Sequence, residues 1–336
     1  MKETVMPDKR SWGKPAIDPM NLRSMLMLDV AREMMISDTW THKAVSVSMS
    51  NPENPEDAAV SFLGVNDPDG IVDVADGRLD IATLNPVVML NMARLGTGPF
   101  PSPLDLATIA VIPHYDQLAF AVANRLGFES LADIAEAKYP LRVSVRGSLD
   151  VVTAMSIDVV LSTYGFSLAD IVAWGGTVFY DQPMPNHPTR IGRLENGEID
   201  AIFEEGTIIW ANDVIAAGAS ILPIDDDHLA TLIALGFRRG ILDKATYPTL
   251  PGDIQTLDYS GWPIYCRIDA SDKLVRQFCA GLERAKDRIV WQIGPENQPP
   301  LPLEQMTTDS PASPFDVPLH PAARAYWQEI GYPVKP

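Results

Sequence analysis

Short apolar runs alternate along the chain with longer stretches that begin at a capping residue or end at a glycine. The runs at residues 79–84, 106–112 and 141–145 have the length of buried strands. Helices are predicted between such runs, and a first helix is predicted over residues 19–36, where Asp18 precedes a first-turn proline. This alternation indicates an α/β fold whose sheets are mainly parallel and are flanked by helices.

Two segments that lie 120 residues apart share one pattern. Residues 76–82 are DGRLDIA and residues 196–202 are NGEIDAI, each a helix end, a glycine stop and an acidic residue before a strand. Such connections are common enough to recur by chance, but the better interpretation is two lobes built on the same plan. Ligands of such sheets bind beyond the carboxyl ends of the strands, which points to Asn85 after the first copy and to Glu204 and Glu205 after the second.

Composition and charge exclude several classes of protein. The 336 residues are enough for two lobes, and 46% are hydrophobic, as expected for a chain with a packed core. The net charge of −18 argues against a nucleic-acid partner, because phosphate binding needs clustered lysine and arginine. No apolar run approaches the ~20 residues of a membrane span, so we expect no membrane insertion.

Motifs for metals and cofactors are absent from the sequence. Cys266 and Cys279 are predicted to be free thiols, and no Cys/His spacing suited to a metal occurs. Phosphate-binding loops, dinucleotide fingerprints and nucleophile elbows are also missing, so we expect neither a metal nor a cofactor. The first residues contain no apolar signal core, so the sequence as written predicts a cytoplasmic location, and a periplasmic one if a leader has been removed.

Five separate segments match one known family in its own order. They are DGRLDIATLN, LRVSVRGSLDVVTAM, LENGEIDAIFEEG, TYPTLPGDIQTL and HPAARAYWQEIGY. Together they cover most of the chain from about residue 70 onward, and they resemble the TAXI-type solute receptors of TRAP transporters. The resemblance implies a type II periplasmic-binding-protein fold with a ligand cleft between lobe 1 (residues 1–120 and 248–336) and lobe 2 (residues 121–247). It also implies TRAP membrane subunits as partners if the protein is exported.

The turn between one predicted strand and its helix is a candidate anion site. Arg146, Gly147 and Ser148 form this turn, and Thr153 lies further into the helix. Free N–H groups at a helix start attract a carboxylate, and an arginine beside them can hold it through two bonds. The residues alone favour an ordinary turn capped by Ser148 or Asp150. The resembling family places ligand contacts here, although its turn is Gly-Ser-Gly-Thr, so the resemblance implies ligand binding.

Two further groups carry candidate chemistry. Glu204 and Glu205 end a strand, and because neighbouring strand residues point opposite ways, one of them is expected to face the cleft. A glutamate there can meet a ligand amine or hydroxyl, or act as an acid or base. His114, Tyr115 and Asp116 lie between two strands, near the expected hinge, where a histidine can transfer protons. A polar turn is the alternative interpretation of these three residues.

The loop DQPMPNHP begins at Asp181, directly after Tyr180, and it is either a lid or a surface excursion. Tyr180 and Tyr115 are further candidate ligand contacts. The first hypothesis for the function is a receptor that binds a small carboxylate, such as an amino acid, a dicarboxylate or an aromatic acid. The second is a cytoplasmic enzyme on the same fold, resembling dihydroxyphthalate decarboxylase-like members. It would be a decarboxylase, hydratase or isomerase that uses Glu205, Glu204 or His114.

Overall fold

A computed structural model describes residues 19–36, 44–50, 60–147, 151–289 and 300–334. The chain divides into two units, one ending at Ala44 and the other beginning at Val45. The first contains α1 (Pro19–Ile36), as predicted, and its apolar side chains, such as Met27, are largely exposed rather than gathered on one face. No helix in the described parts of the chain is both long enough and apolar enough to cross a membrane.

The unit that begins at Val45 alternates strands with helices. Its strands are β1 (Val45–Met49), β2 (Val60–Gly64), β3 (Ile81–Thr83), β4 (Leu106–Ile112), β5 (Gln117–Ala123), β6 (Arg142–Arg146), β7 (Thr177–Asp181), β8 (Ala201–Glu204), β9 (Ala219–Leu222), β10 (Arg238–Leu242), β11 (Ile254–Asp258) and β12 (Trp262–Arg267). Its helices are α2 (Asp69–Ala75), α3 (Val87–Leu95), α4 (Leu131–Ala137), α5 (Val151–Thr163), α6 (Leu168–Ala173), α7 (Pro188–Glu195), α8 (Thr207–Ala216), α9 (Asp226–Leu235), α10 (Asp272–Ala285), α11 (Leu303–Met306) and α12 (Pro321–Glu329).

The strands form two sheets. The first has the order β1-β2-β3-β12-β4, and the second has the order β10-β11-β5-β8-β6-β7, with β9 also beside β5. The predicted α/β class is confirmed, but the sheets are mixed rather than mainly parallel. Among the described strand pairs, β2–β3, β6–β7 and β6–β8 are parallel. The sheets contain many antiparallel pairs because β5 and β12 each come from the other sheet through a short connection. Both strands run antiparallel to their neighbours.

Two short crossover segments join the sheets. Residues 113–116 lead from β4 to β5, and residues 259–261 lead back from β11 to β12. The segments bond to each other, because Tyr259 N–H donates to the Asp116 carbonyl at 2.9 Å and Gly261 N–H donates to the His114 carbonyl at 2.8 Å. His114, Tyr115 and Asp116 therefore lie in a paired ribbon between the sheets.

The two copies of the repeated sequence pattern have the same backbone bonds. In the first copy, Asp80 N–H donates to the Ser61 carbonyl at 3.1 Å, and its carboxylate accepts Ser61 N–H at 2.7 Å. In the second, Asp200 N–H donates to the Arg142 carbonyl at 2.7 Å, and its carboxylate accepts Arg142 N–H at 2.9 Å. Each aspartate thus ties its strand to a parallel neighbour.

The equivalence of the two copies continues beyond the strands. Helix α3 begins at Val87 after the first copy, and α8 begins at Thr207 after the second, again 120 residues later. Asn85 and Glu205 therefore hold equivalent positions, each two residues before a helix, with Asn85 two residues beyond β3 and Glu205 one residue beyond β8. This arrangement supports the interpretation of the repeat as a structural plan rather than a chance similarity.

The largest apolar cluster is shared by both sheets. It includes Met89 on α3, Phe120 on β5 and Val160 on α5. A polar contact crosses the same region, because the Asn91 side-chain amide on α3 donates to the Gly236 carbonyl at 2.9 Å. The two sheets are therefore packed through α3 as well as joined by the crossovers. Both cysteines are buried and free, as predicted.

We expect Asp200→Asn to lower the free energy of unfolding by about 2 kcal/mol at neutral pH. The Asp200 carboxylate is almost fully buried and receives three bonds from Arg142 and one from Arg125. Burial raises the pKa of Asp200, but these two arginines outweigh it and the pKa is lowered. The ionised Asp200 side chain therefore stabilises the folded protein above the pKa that this residue has in the unfolded chain. That stabilisation is lost as the pH falls through the pKa of Asp200 in the folded protein.

Urea denaturation at a series of pH values measures this effect. The matched control is Asp80→Asn in the first copy, whose carboxylate is partly exposed and accepts only from Ser61 among its described bonds. We expect it to cost about 1 kcal/mol or less. Equal losses at the two positions would contradict this account of the Asp200 ion pairs.

Candidate functional site

The carboxyl end of β8 carries the two predicted glutamates. Glu204 is its last residue and is fully buried, whereas Glu205 lies beyond the strand and is 7% exposed. Both carboxylates contact the Arg146 guanidinium, so the two side chains do not point opposite ways as strand alternation predicted. The physical reason is that strand alternation ends at Glu204, and Gly206 turns the backbone at a φ of +72°.

Two arginines hold Glu204 from both sides. Arg146 Nε lies 3.0 Å from Glu204 Oε1, and Arg190 Nη1 lies 3.2 Å from Glu204 Oε2. Arg190 is 1% exposed and also donates to the Pro183 carbonyl at 2.7 Å. The sequence did not mark Arg190 as a site residue, because nothing local distinguishes a buried arginine on a helix from a surface one.

The buried charges shift each other's pKa values. Burial raises the pKa of Glu204, although Arg146 and Arg190 oppose the shift. Burial and then the nearby Asp116 raise the pKa of Glu205 well above its usual value, against the effect of Arg146. Burial lowers the pKa of Arg190, although Glu204 opposes it. A ligand that reaches this region therefore meets a preformed network of charges rather than one free arginine.

Asp116 connects the crossover to the second sheet. Its carboxylate is 2% exposed and accepts from Gly206 N–H at 2.9 Å, Thr207 N–H at 3.3 Å and Gln117 N–H at 2.7 Å. Asp116 thus satisfies the first N–H groups of α8, where the helix dipole favours a negative charge. The place at which this helix would attract an anionic ligand is already filled by the chain itself.

Three potential metal ligands meet beside this helix start. His114, Asp116 and Glu205 each place one ligand atom within 4.8 Å of the others. His114 Nε2 lies 3.7 Å from Asp116 Oδ2, and the His114 ring packs against the Trp262 ring at 4.7 Å between centroids. Sequence spacing did not reveal this group, because Glu205 reaches the crossover only through the fold.

Several buried polar atoms on the elements next to the crossovers have no partner among the described residues. Asn85 Oδ1, Gln117 Nε2 and Trp262 Nε1 are buried and have no hydrogen-bond partner within the described part of the chain. Asn85 is anchored by its own N–H, which donates to Asn66 Oδ1 at 3.0 Å. An unpaired buried polar group costs about 1–3 kcal/mol, so these atoms mark a place where further polar groups would be stabilising.

The turn after β6 is more crowded than the sequence suggested. Gly147 is buried, and a Cβ there would lie 2.2 Å from Gln182 Nε2, so a side chain at this position would displace Gln182. Thr153 is buried within α5. Ser148 lies outside the described residues.

The remaining predicted contacts stand apart from the buried network. Tyr115 in the crossover and Tyr180 on β7 are each more than half exposed. Asn85 reaches the crossover region of the site from the first sheet. The predicted site residues that the structure brings into one buried network are His114, Arg146, Glu204 and Glu205.

The described strands form two sheets flanked by helices, in agreement with the predicted α/β class. The buried polar groups meet where the strands of both sheets end at the crossovers. The family model that matches the chain is that of the NMT1-like family, over residues 69–331. The chain therefore belongs to the NMT1-like family.

Solved structures of binding proteins show a distant likeness to this chain. The alkanesulfonate-binding protein SsuA from Xanthomonas axonopodis pv. citri, bound to MOPS, is 15% identical, with a TM-score of 0.30 over 66% of this chain and 60% of its own. PhnD1 from Prochlorococcus marinus, in complex with methylphosphonate, is 14% identical, with a TM-score of 0.34 over 68% of this chain and 72% of its own.

A protein from Xanthomonas citri bound to chloride ion is 12% identical, with a TM-score of 0.36 over 78% of this chain and 79% of its own. At these values the bound molecules are properties of those proteins alone. No curated protein matches the chain by sequence.

We expect Asp258→Asn to stabilise the protein at neutral pH relative to the wild type. Asp258 ends β11 at the second crossover, and burial raises its pKa to about 6, although a bond from Ser260 opposes the shift. Because the pKa of Asp258 is higher in the folded protein than in the unfolded chain, the protonated side chain stabilises the fold. This stabilisation is complete below the unfolded pKa and is lost as the pH rises through about 6. Asparagine imitates the protonated group, and the expected gain above that pH is about 2 kcal/mol.

Thermal denaturation of both proteins from acid to neutral pH checks this prediction. Asp213→Asn, at an exposed position of α8, is the control and should leave the pH profile unchanged. Parallel profiles for the wild type and Asp258→Asn would contradict the assignment.

Proposed function

We propose that this chain is a solute-binding protein that holds a small polar molecule at the crossovers between its two sheets. The observation that carries the proposal is the set of three buried polar atoms without partners, Asn85 Oδ1, Gln117 Nε2 and Trp262 Nε1. They present one acceptor and two donors, so the matching ligand has at least one donor and two acceptors. Membership of the NMT1-like family, together with the fold, supports this function.

Binding between the sheets gives a mechanism for closure. Asn85 belongs to the first sheet's side of the site and Gln117 to β5 of the second, so one ligand would contact both. A ligand that touches both lobes stabilises the closed arrangement by contacts that the open one lacks. In this proposal the two halves of the protein, one built on each sheet, move about the paired crossovers, so that their boundaries fall at residues 113–116 and 259–261 rather than at 120 and 248.

A carboxylate ligand requires an exchange of partners at Arg146. The guanidinium already contacts both Glu204 and Glu205, and Glu204 has Arg190 as a second partner. Glu205 is therefore the group that an incoming acid displaces. Amino acids, dicarboxylates and aromatic acids all carry such a carboxylate, and a sulfonate or phosphonate would make the same exchange.

The proposed partners follow from the receptor role. A receptor of this class delivers its ligand to transporter subunits in a membrane, and the TAXI-type resemblance favours those of a TRAP transporter. This role places the protein outside the cytoplasm, whereas the enzyme alternative places it inside. Whether a bound ligand is converted separates the two roles.

Ligand-observed proton NMR of the purified chain tests the function directly. The panel contains amino acids, dicarboxylates, aromatic acids, sulfonates and phosphonates, and spectra are recorded over hours. A ligand that binds and stays unchanged supports the receptor. Conversion to a product would support the decarboxylase, hydratase or isomerase alternative, and a panel without binding would contradict a site for small organic anions.

We expect Asn85→Ala to weaken binding of the best ligand by about tenfold, because it removes one hydrogen bond worth about 1.4 kcal/mol. Isothermal titration calorimetry measures the change. Asn124→Ala is the matched control, since Asn124 is exposed and follows the opposite end of β5 from Gln117. An unchanged Kd in Asn85→Ala would remove this residue from the site.

We expect Glu205→Gln to strengthen binding of a carboxylate ligand about threefold to tenfold, because the neutral amide competes less for Arg146. Arg146→Gln should have the opposite effect. Calorimetry with the same ligand on the three proteins measures both changes. Weaker binding in Glu205→Gln would contradict the exchange and would indicate that Glu205 contacts the ligand itself.

A further inference from the structure

Three side chains of different origin converge at the start of α8. His114 and Asp116 come from the first crossover, and Glu205 comes from the turn after β8. One ligand atom from each lies within 4.8 Å of the other two. Asp116 and Glu205 are 2% and 7% exposed, whereas the His114 side chain is 31% exposed, so the group is buried on one side and open to solvent on the other.

A hydrogen bond does not explain why His114 lies beside Asp116. The 3.7 Å between His114 Nε2 and Asp116 Oδ2 exceeds the usual 2.7–3.2 Å of an N–H···O bond. It is close to the ~3.4 Å edge of a tetrahedron whose metal–ligand bonds are ~2.1 Å long.

The charges around the three side chains favour a cation. The buried network contains three carboxylates, Asp116, Glu204 and Glu205, and two guanidiniums, Arg146 and Arg190. Arg190 bonds to Glu204 and Arg146 contacts both Glu204 and Glu205, so Asp116 is the carboxylate of this network that no guanidinium is described as contacting.

We propose that His114, Asp116 and Glu205 bind one divalent transition-metal ion. One imidazole and two carboxylates are ligands suited to Zn²⁺ or Mn²⁺, and three protein ligands leave positions open on the exposed side of His114. Metal binding at this site shares Glu205 with the proposed function, but it is testable separately because it needs no organic ligand.

The surrounding bonds supply the support that a metal site needs. Asp116 is oriented by the N–H groups of Gly206, Thr207 and Gln117, and Glu205 is oriented by Arg146. Such outer bonds fix the direction of the ligating oxygens before the ion arrives. The Trp262 ring packs against the His114 ring and limits its rotation.

Calorimetric titration of the full, tag-free chain with Zn²⁺ and with Mn²⁺, after treatment with a chelator, tests the proposal. We expect one ion per chain with a Kd of about 10 μM or lower for at least one of the two metals. His114→Ala and Glu205→Gln should each weaken it at least about tenfold. The second variant keeps the shape of the side chain, so a loss of metal there is not a loss of fold, and circular dichroism checks both proteins.

His228→Ala is the matched control, because His228 lies beside the Asp225 carboxylate, at 2.7 Å, without a third ligand group in the described chain. It should leave the Kd unchanged. No binding below about 1 mM, or binding that both site variants retain, would overturn the proposal. Because the titration contains no organic ligand, either result leaves the Asn85→Ala test of the proposed function intact.

Discussion

The Asp116 carboxylate is the contact on which the second half of the site depends. It sits in the crossover and accepts the first N–H groups of α8, so the chain that leaves one sheet fixes the helix that follows a strand of the other. Without these hydrogen bonds from Gly206 and Thr207 to Asp116, the backbone at Gly206 would no longer be fixed, and the Glu205 side chain would no longer be held beside Arg146. A single buried acceptor thus sets the position of the helix, the glutamates and the arginine.

Helix α3, which follows the first copy of the repeated pattern as α8 follows the second, is anchored to a crossover in a different way. Val87 N–H, at the start of α3, donates to the Gly261 carbonyl of the second crossover at 3.0 Å. Each crossover therefore holds the helix start of one lobe, once by a carbonyl and once by a carboxylate. The residues that precede the two helices differ as well, with a neutral Asn85 before α3 and an ionisable Glu205 before α8. The repeated plan supplies the positions, and the residue types give the two halves different chemistry.

Local patterns were sufficient for the parts of the fold that depend on nearby residues. The glycine stops and acidic residues at 76–82 and 196–202 predicted both strand ends, and with them Asn85, Glu204 and Glu205. Strand direction could not be predicted in the same way, because an apolar run that returns from another sheet has the same composition as a parallel strand. Glu204 and Glu205 were placed on opposite faces because the sequence does not show where strand alternation stops.

Contacts between residues far apart in the sequence produce the parts of the site that the sequence did not predict. Arg190 is an ordinary helical arginine in the sequence, and only the packing of α7 beside β8 makes it a partner of Glu204. The same holds for the meeting of His114, Asp116 and Glu205, which no local spacing encodes. A search for metal-ligand spacing therefore finds nothing here, since it detects only ligands that lie close together along the chain.

The two proposals meet at Glu205, which has two competing partners. Its carboxylate contacts Arg146 and lies near the ligand atoms of His114 and Asp116. An ion held by the three side chains would draw this carboxylate toward itself and leave donors of the guanidinium available for an acid. By linkage, an acid that takes Arg146 would in turn make Glu205 available to the ion. Metal and carboxylate would then bind with positive coupling, and a chain with a net charge of −18 would gain an anion site without a new basic residue.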